Sequence, residues 1–91
     1  PGTIIQVAGF LLSPHRPPTR SGKITVFFSL EDEFGLTDIT MFQDTYMRYG
    51  QYIFQAQSCP LLVKGQLKRR GKGNSIVARE VRRLGVSGGR R

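Results

Sequence analysis

Tryptophan is absent from this 91-residue chain, cysteine and histidine occur once each (Cys59, His15), and only six residues are acidic. One cysteine cannot close an internal disulfide, which excludes a disulfide-stapled scaffold and sets a cytoplasmic location as the expectation. His15 has no second histidine or cysteine cluster with which to share zinc. Glu31, Asp32 and Glu33 are consecutive, so they cannot all point at one ion, and no further oxygen ligand stands near them. No nucleophile–base pair and no carboxylate pair can be picked out. The segment alone is therefore not expected to be an enzyme, and neither a metal nor another cofactor is expected. No apolar run approaches the roughly 20 residues of a membrane span, and no membrane partner is expected.

What the chain does hold is six Phe, three Tyr and a hydrophobic content of 38%, enough for a globular domain with one modest core. It also carries a formal net charge of +8, unevenly spread. Residues 1–63 have four basic and five acidic side chains, whereas residues 64–91 have ten basic ones against Glu80 alone. A basic block of that kind calls for a polyanion, nucleic acid before any other. Starting at Pro1 and ending in a polar tail, the chain reads as a domain excised from a longer protein. Its folded part is expected over residues 1–84, with 85–91 a flexible basic tail or linker.

Period-2 alternation dominates the pattern. In residues 24–31, Ile24, Val26, Phe28 and Leu30 fall on one face and Thr25, Phe27, Ser29 and Glu31 on the other. Asp32-Glu33-Phe34-Gly35 supplies turn chemistry, with Gly35 free to take a positive φ. In residues 36–42, Ile39 and Met41 face inward while Asp38, Thr40 and Phe42 face out. Ahead of this hairpin, residues 3–13 form a long strand whose inward face is Ile5, Val7, Gly9 and Leu11; Gly9 allows sharp coiling or a bulge. The prolines of residues 14–23 exclude a helix or a central strand there. Residues 43–57 suit a short helix capped by Asp44 or Thr45, with Tyr46, Tyr49 and Ile53 on its buried stripe and Cys59-Pro60 beyond its end. Residues 61–70 make a fourth strand, with Leu61, Val63 and Leu67 inward. A Gly/Asn-type turn follows at 71–74, and then a fifth strand over 75–84. A bulge is expected in that strand because Val77, Val81 and Leu84 do not share one parity. The order β-β-β-α-β-β predicts an all-β domain, a five-stranded Greek-key barrel of the OB type with one short helix between strands 3 and 4. That fold binds oligonucleotides or oligosaccharides across strands 2 and 3, between the 1–2 and 4–5 loops. An SH3-like barrel fits the helix and the long first strand less well.

Two phenylalanines on the solvent side of neighbouring strands need a reason. Phe27 and Phe42 are candidate platforms for stacked bases, unless a loop or the helix covers them. Thr25, Ser29 and Thr40 beside them could add hydrogen bonds, and His15 could stack on a base or simply sit in its loop. The candidate phosphate contacts are Arg16, Arg20 and Lys23 on the first loop, with Lys64, Lys68, Arg69, Arg70, Lys72 and Arg79 on strands 4 and 5 and their turn. Arg82 and Arg83 are expected to point away. Cys59 reads as a small packed residue.

The run from Arg16 to Gln51 resembles a segment of the bacterial C-family DNA polymerases, the replicative DNA polymerase III alpha subunit and its error-prone paralogue. Arg16, Pro17, Thr19 and Gly22 fit an R-P-x-T-x-x-G pattern; Phe27, Leu30, Glu31, Asp32 and Gly35 fit F-x-x-L-E-D-x-x-G, with Phe42 following. Tyr46-Met47-Arg48-Tyr49 and LLVKGQLKRR echo the family's next helix and strand. The L-E-D-x-x-G piece is shared with tRNA-anticodon and helicase OB domains, so the R-P-x-T-x-x-G loop is what narrows the likeness to the polymerases. The resemblance implies an OB domain that binds single-stranded DNA template, within a parent chain that is a DNA-directed DNA polymerase whose catalytic aspartates lie elsewhere. It implies single-stranded DNA as partner, with other domains of the polymerase or replisome proteins as further ones, and a monomer for the isolated domain. A protein-interaction module using the same face and an RNA-binding anticodon-type domain are the alternatives. The basic turn between strands 4 and 5 exceeds what the family leads one to expect.

Overall fold

The computed structural model describes residues 2–54, 59–70 and 73–84. Five strands and one helix follow in the order β1 (Ile4–His15), β2 (Thr25–Asp32), β3 (Gly35–Phe42), α1 (Gln43–Phe54), β4 (Leu61–Arg70) and β5 (Gly73–Arg83). The strands close into a barrel in the order β1-β2-β3-β5-β4. All neighbours are antiparallel except β3 and β5, which run parallel. This is the predicted five-stranded OB barrel, with its short helix between β3 and β4. Residues 85–91, where the tail was expected, lie outside the described residues.

Closure depends on β1 serving two neighbours. Ile4 through Gly9 pair with β4, and Phe10 through His15 pair with β2. The change of partner falls at Gly9, where a Cβ would stand 2.7 Å from the Glu31 carbonyl oxygen. Only glycine lets the two backbones approach that closely, so Gly9 permits the coil that sequence patterning assigned to it. The bulge lies further on. Leu12 pairs with Ser29 but His15 with Phe27, leaving one extra residue at Ser13–Pro14. Ser13 takes a positive φ of 53° there. A proline inside a strand is tolerated at such a bulge because the bulged residue gives no ladder hydrogen bond. The expectation that Pro14 would end the strand is thus corrected: β1 runs through it to His15.

The barrel interior is the alternating face read from the sequence. Val26, Phe28 and Leu30 of β2, Ile39 and Met41 of β3, and Leu61 and Val63 of β4 are buried. Ile76, Ala78 and Val81 complete it from β5, whereas Val77 is half-buried. The parity change between Ala78 and Val81 is absorbed by a bulge, since Lys64 pairs with Glu80 but Gly65 with Ala78, leaving Arg79 unopposed. Helix α1 sets Ile53 into the core, with Tyr46, Tyr49 and Tyr52 packed against it. Gly50 is buried beneath the Tyr46 ring, 2.5 Å from where a Cβ would lie. Burial of each large aliphatic or aromatic side chain contributes about 1.5–3 kcal/mol. The Thr45 hydroxyl does not cap the helix: it donates to the Ala78 carbonyl at 3.1 Å and fastens α1 to β5.

Candidate functional site

The β2–β3 hairpin is held in one register over its whole length, from Thr25↔Phe42 to Asp32↔Gly35. Its turn is closed by Asp32, whose Oδ1 accepts from the backbone N–H groups of Phe34 (2.7 Å) and Gly35 (3.1 Å), and Gly35 has a positive φ of 136°. With the even-numbered residues of β2 inside, Thr25, Phe27, Ser29 and Glu31 are carried outward, and Asp38, Thr40 and Phe42 stand opposite them on β3. The outer face is therefore fixed by the same pairing that builds the core.

Across this face runs a cleft of about 360 Å³ lined by Ser13, His15, Phe27, Ser29, Asp38, Thr40 and Ser75, with Phe28 and Ile39 at its floor. The bulge at Ser13–Pro14 turns His15 onto Phe27, their ring centroids 5.7 Å apart and 29° from parallel. His15 Nδ1 lies 3.1 Å from the Ser13 carbonyl oxygen, as a donor, and fixes the ring. Phe27 keeps 36% of its surface exposed. One row along, the Ser29 hydroxyl donates to Asp38 Oδ1 at 3.1 Å. Asp38 pairs with Ser75 of β5, and Ser75 with Lys68 of β4, so the row Ser29–Asp38–Ser75–Lys68 crosses the sheet.

A second groove, of about 320 Å³, adjoins the first on the other side of Phe27. It is lined by Ser21, Lys23, Thr25, Phe42, Gln43 and Asp44, and Phe42 is 51% exposed, uncovered by the helix. The first loop beside it is built by its own motif. The Thr19 hydroxyl donates to the Lys23 carbonyl at 2.6 Å, the Gly22 N–H to the Thr19 carbonyl at 3.3 Å, and Gly22 has a φ of 79°. The T-x-x-G spacing is thus a loop-closing device. Arg20 and Lys23 stay exposed on this loop.

The remaining predicted residues divide. Arg16 turns toward α1, its guanidinium 5.9 Å from the Tyr46 ring centroid and 3.5 Å from the Tyr46 hydroxyl. Lys64 lies on the opposite side of the barrel, in a groove with Gln6, Leu62, Glu80 and Arg82. Arg79 donates to Gln66 Oε1 at 3.4 Å and borders a depression with Asp44, Thr45, Met47 and Arg48. Lys68 and Arg69 are exposed near the β4–β5 end. Arg70 belongs to β4, but its side chain is outside the described residues, and so is Lys72 with its turn. Arg82 and Arg83 point away from the cleft, the latter over the Tyr52 ring at 5.7 Å. The structure therefore brings together Phe27, Thr40 and Ser29, and next to them Thr25, Phe42 and Lys23; Arg16 and Lys64 are elsewhere. Sequence reasoning gave no role to Asp38, Ser13 or Ser75. Asp38 was legible as outward-facing, but the Ser13 and Ser75 positions depend on a bulge and on a parallel pairing that no local pattern announces.

No family model matches the chain. Curated relatives do. An error-prone DNA polymerase of Symbiobacterium thermophilum is 53% identical over 83 residues, 91% of this chain and 8% of that protein. One from Saccharophagus degradans is 38% identical over 77 residues, 85% of this chain and 7% of that protein. The chain thus spans less than a tenth of the relatives it matches. Among solved structures, the mitochondrial single-stranded DNA-binding protein of S. cerevisiae superimposes with a TM-score of 0.70 at 11% identity, covering 92% of this chain and 96% of that one. A small single-stranded DNA-binding protein from Streptomyces coelicolor gives 0.62 at 16% identity, covering 97% and 98%. RecG bound to a three-way DNA junction gives 0.69 at 17%, covering 97% of this chain and 12% of that one. At such identities the likeness is one of fold.

Proposed function

This chain belongs to the C-family DNA polymerases as an OB-fold segment, and from that premise we propose that it binds single-stranded DNA across β2 and β3 within an error-prone DNA polymerase. The observation that carries the reading is the half-exposed Phe27 in a formed cleft on the outer face of the hairpin. Aromatic platforms of this kind hold successive bases by stacking, with little regard to sequence, because every base has a π-face. Phe27, backed by His15, takes one base, and Phe42 in the adjoining groove takes its neighbour. Rows two residues apart along a strand are separated by about 7 Å, a spacing that an extended single strand can follow. Thr25 and Thr40 contribute hydroxyls. Arg20 and Lys23 on one side and Lys68 on the other follow the backbone and give affinity that falls as salt rises. Arg79 reaches the strand at the Phe42 end.

Likeness to error-prone DNA polymerases supports a polymerase parent, and the fold shared with single-stranded DNA-binding proteins supports a single-stranded ligand. An NMR titration of the 91-residue chain with oligo-dT, oligo-rU and a DNA duplex tests the reading. The expected result is a set of shifts at His15, Thr25, Phe27, Thr40 and Phe42 with oligo-dT and none with duplex. Shifts centred on Gln6, Lys64 and Arg82 would move the site to the opposite face, and absence of shifts with every nucleic acid would leave protein docking as the use of this surface.

A further inference from the structure

Asp38 is out of place on a surface meant for phosphates. Its carboxylate lines the Phe27 cleft, its one hydrogen bond among the described residues comes from the Ser29 hydroxyl, and no cation there forms an ion pair with it. A carboxylate so placed repels backbone phosphates, yet it is a strong acceptor for N–H donors. The histidine beside it has the same bias. With Nδ1–H directed to the Ser13 carbonyl, the imidazole has Nε2 to offer as an acceptor. The other polar groups of the cleft, the hydroxyls of Ser13, Ser29, Thr40 and Ser75, donate or accept alike. The lining as a whole therefore leans toward acceptors.

Resting on the binding mode just proposed, we infer that Asp38 gives this cleft a preference for bases that carry an exocyclic amino group, cytosine over thymine in particular. The Ser29–Asp38 row lies next to the Phe27–Thr40 row, about 7 Å along the strand. A base stacked on Phe27 thus turns its edge toward the carboxylate. Cytosine presents the N4 amino group there, a donor that aspartate accepts, whereas thymine presents the O4 carbonyl, which aspartate repels. The Ser29 hydroxyl holds Asp38 Oδ1 and leaves lone pairs for the base. Thr40, opposite Phe27, adds a hydroxyl that fits either pyrimidine.

Fluorescence-anisotropy titrations of the 91-residue chain with labelled oligo-dC, oligo-dT and oligo-dU of one length provide the test. Both competitors have a carbonyl at C4, and oligo-dU removes the thymine methyl group as an explanation. Wild type is expected to bind oligo-dC about tenfold more tightly than the other two, the effect of one hydrogen bond to a charged acceptor. Asp38→Ala, a change at an exposed position, is expected to reduce that ratio to near one by weakening oligo-dC. Ser29→Ala, which leaves the carboxylate but frees it, is expected to reduce it partly. Equal binding of all three oligonucleotides by wild type overturns the inference and leaves single-stranded binding standing. An Asp38→Ala variant that binds all three more tightly by the same factor also overturns it, making Asp38 a repulsive charge only. Binding to none of them removes the proposed function itself, and the inference with it.

Discussion

Two sides of the same barrel offer opposite chemistry. The β2–β3 face holds aromatic rings and hydroxyls around a carboxylate, with Phe27 and His15 stacked and Asp38 beside them. The β1–β4–β5 side holds Lys64 and Arg82 with Gln6 and Glu80, and no aromatic ring lines its groove. The basic residues are concentrated after residue 63, and Lys64 and Arg82 among them fall on the second side. The cleft that can hold a base is on the first. One place where the two chemistries meet is the β4–β5 end, where Ser75 stands between Asp38 and Lys68. Net charge therefore calls for a polyanion, and pleat parity decides which side chains share the outer face of the hairpin.

The largest way to break this contrast is to remove the residue that lets both sides exist. Gly9→Val would drive a side chain into the Glu31 backbone, where even a Cβ would lie 2.7 Å from the carbonyl oxygen. Overpacking of a tight site costs about 1–3 kcal/mol and more against unyielding backbone. We expect a loss at or above the top of that range, read as a lower midpoint in urea denaturation, with β1 detached from β2 and the cleft lost with it. Next in size is Phe27→Ala, expected to weaken oligonucleotide binding by about 1–3 kcal/mol with the urea midpoint little changed. Its control is Phe34→Ala. Phe34 is 89% exposed at the acidic turn beside Glu33, so it offers a ring without a cleft, and its removal should leave the dissociation constant unaltered in the same titration.

How much of this was readable beforehand depended on whether the determining contact was local. The β2–β3 hairpin was readable in full, because parity, the Asp32–Gly35 turn and the pairing are all short-range, and they fix Phe27 and Phe42 outward. Strand β4 follows from the same periodicity, whereas the parallel β3–β5 pairing that closes the barrel does not. The placement of Arg16 is not legible for a different reason: its partner Tyr46 is thirty residues away, and a loop cation says nothing of which wall it leans on. Lys64 and Lys68 share a parity on β4, yet barrel curvature and the Arg79 bulge carry them to different surroundings. Sequence patterning ends the strand before Pro14 and so leaves His15 in a loop. The bulge that accommodates Pro14 is what sets His15 on Phe27.

Cations allow a finer test, since their effects are smaller and depend on salt. Lys68 stands at the end of the row that passes through Asp38 and Ser75, so Lys68→Ala should weaken binding modestly. It should also reduce the slope of log K against log salt by about 0.7, the value for one phosphate contact on a single strand. Lys64→Ala and Arg82→Ala, on the side without aromatic rings, are expected to change the slope by much less, because a charge beyond a Debye length of about 8 Å at physiological salt is largely screened from the strand. The measurement is a set of titrations between about 50 and 200 mM salt. Equal slopes for Lys68→Ala and Lys64→Ala would mean that the strand feels the basic half of the chain as a diffuse field, and that stacking and charge are not divided between two sides of the barrel.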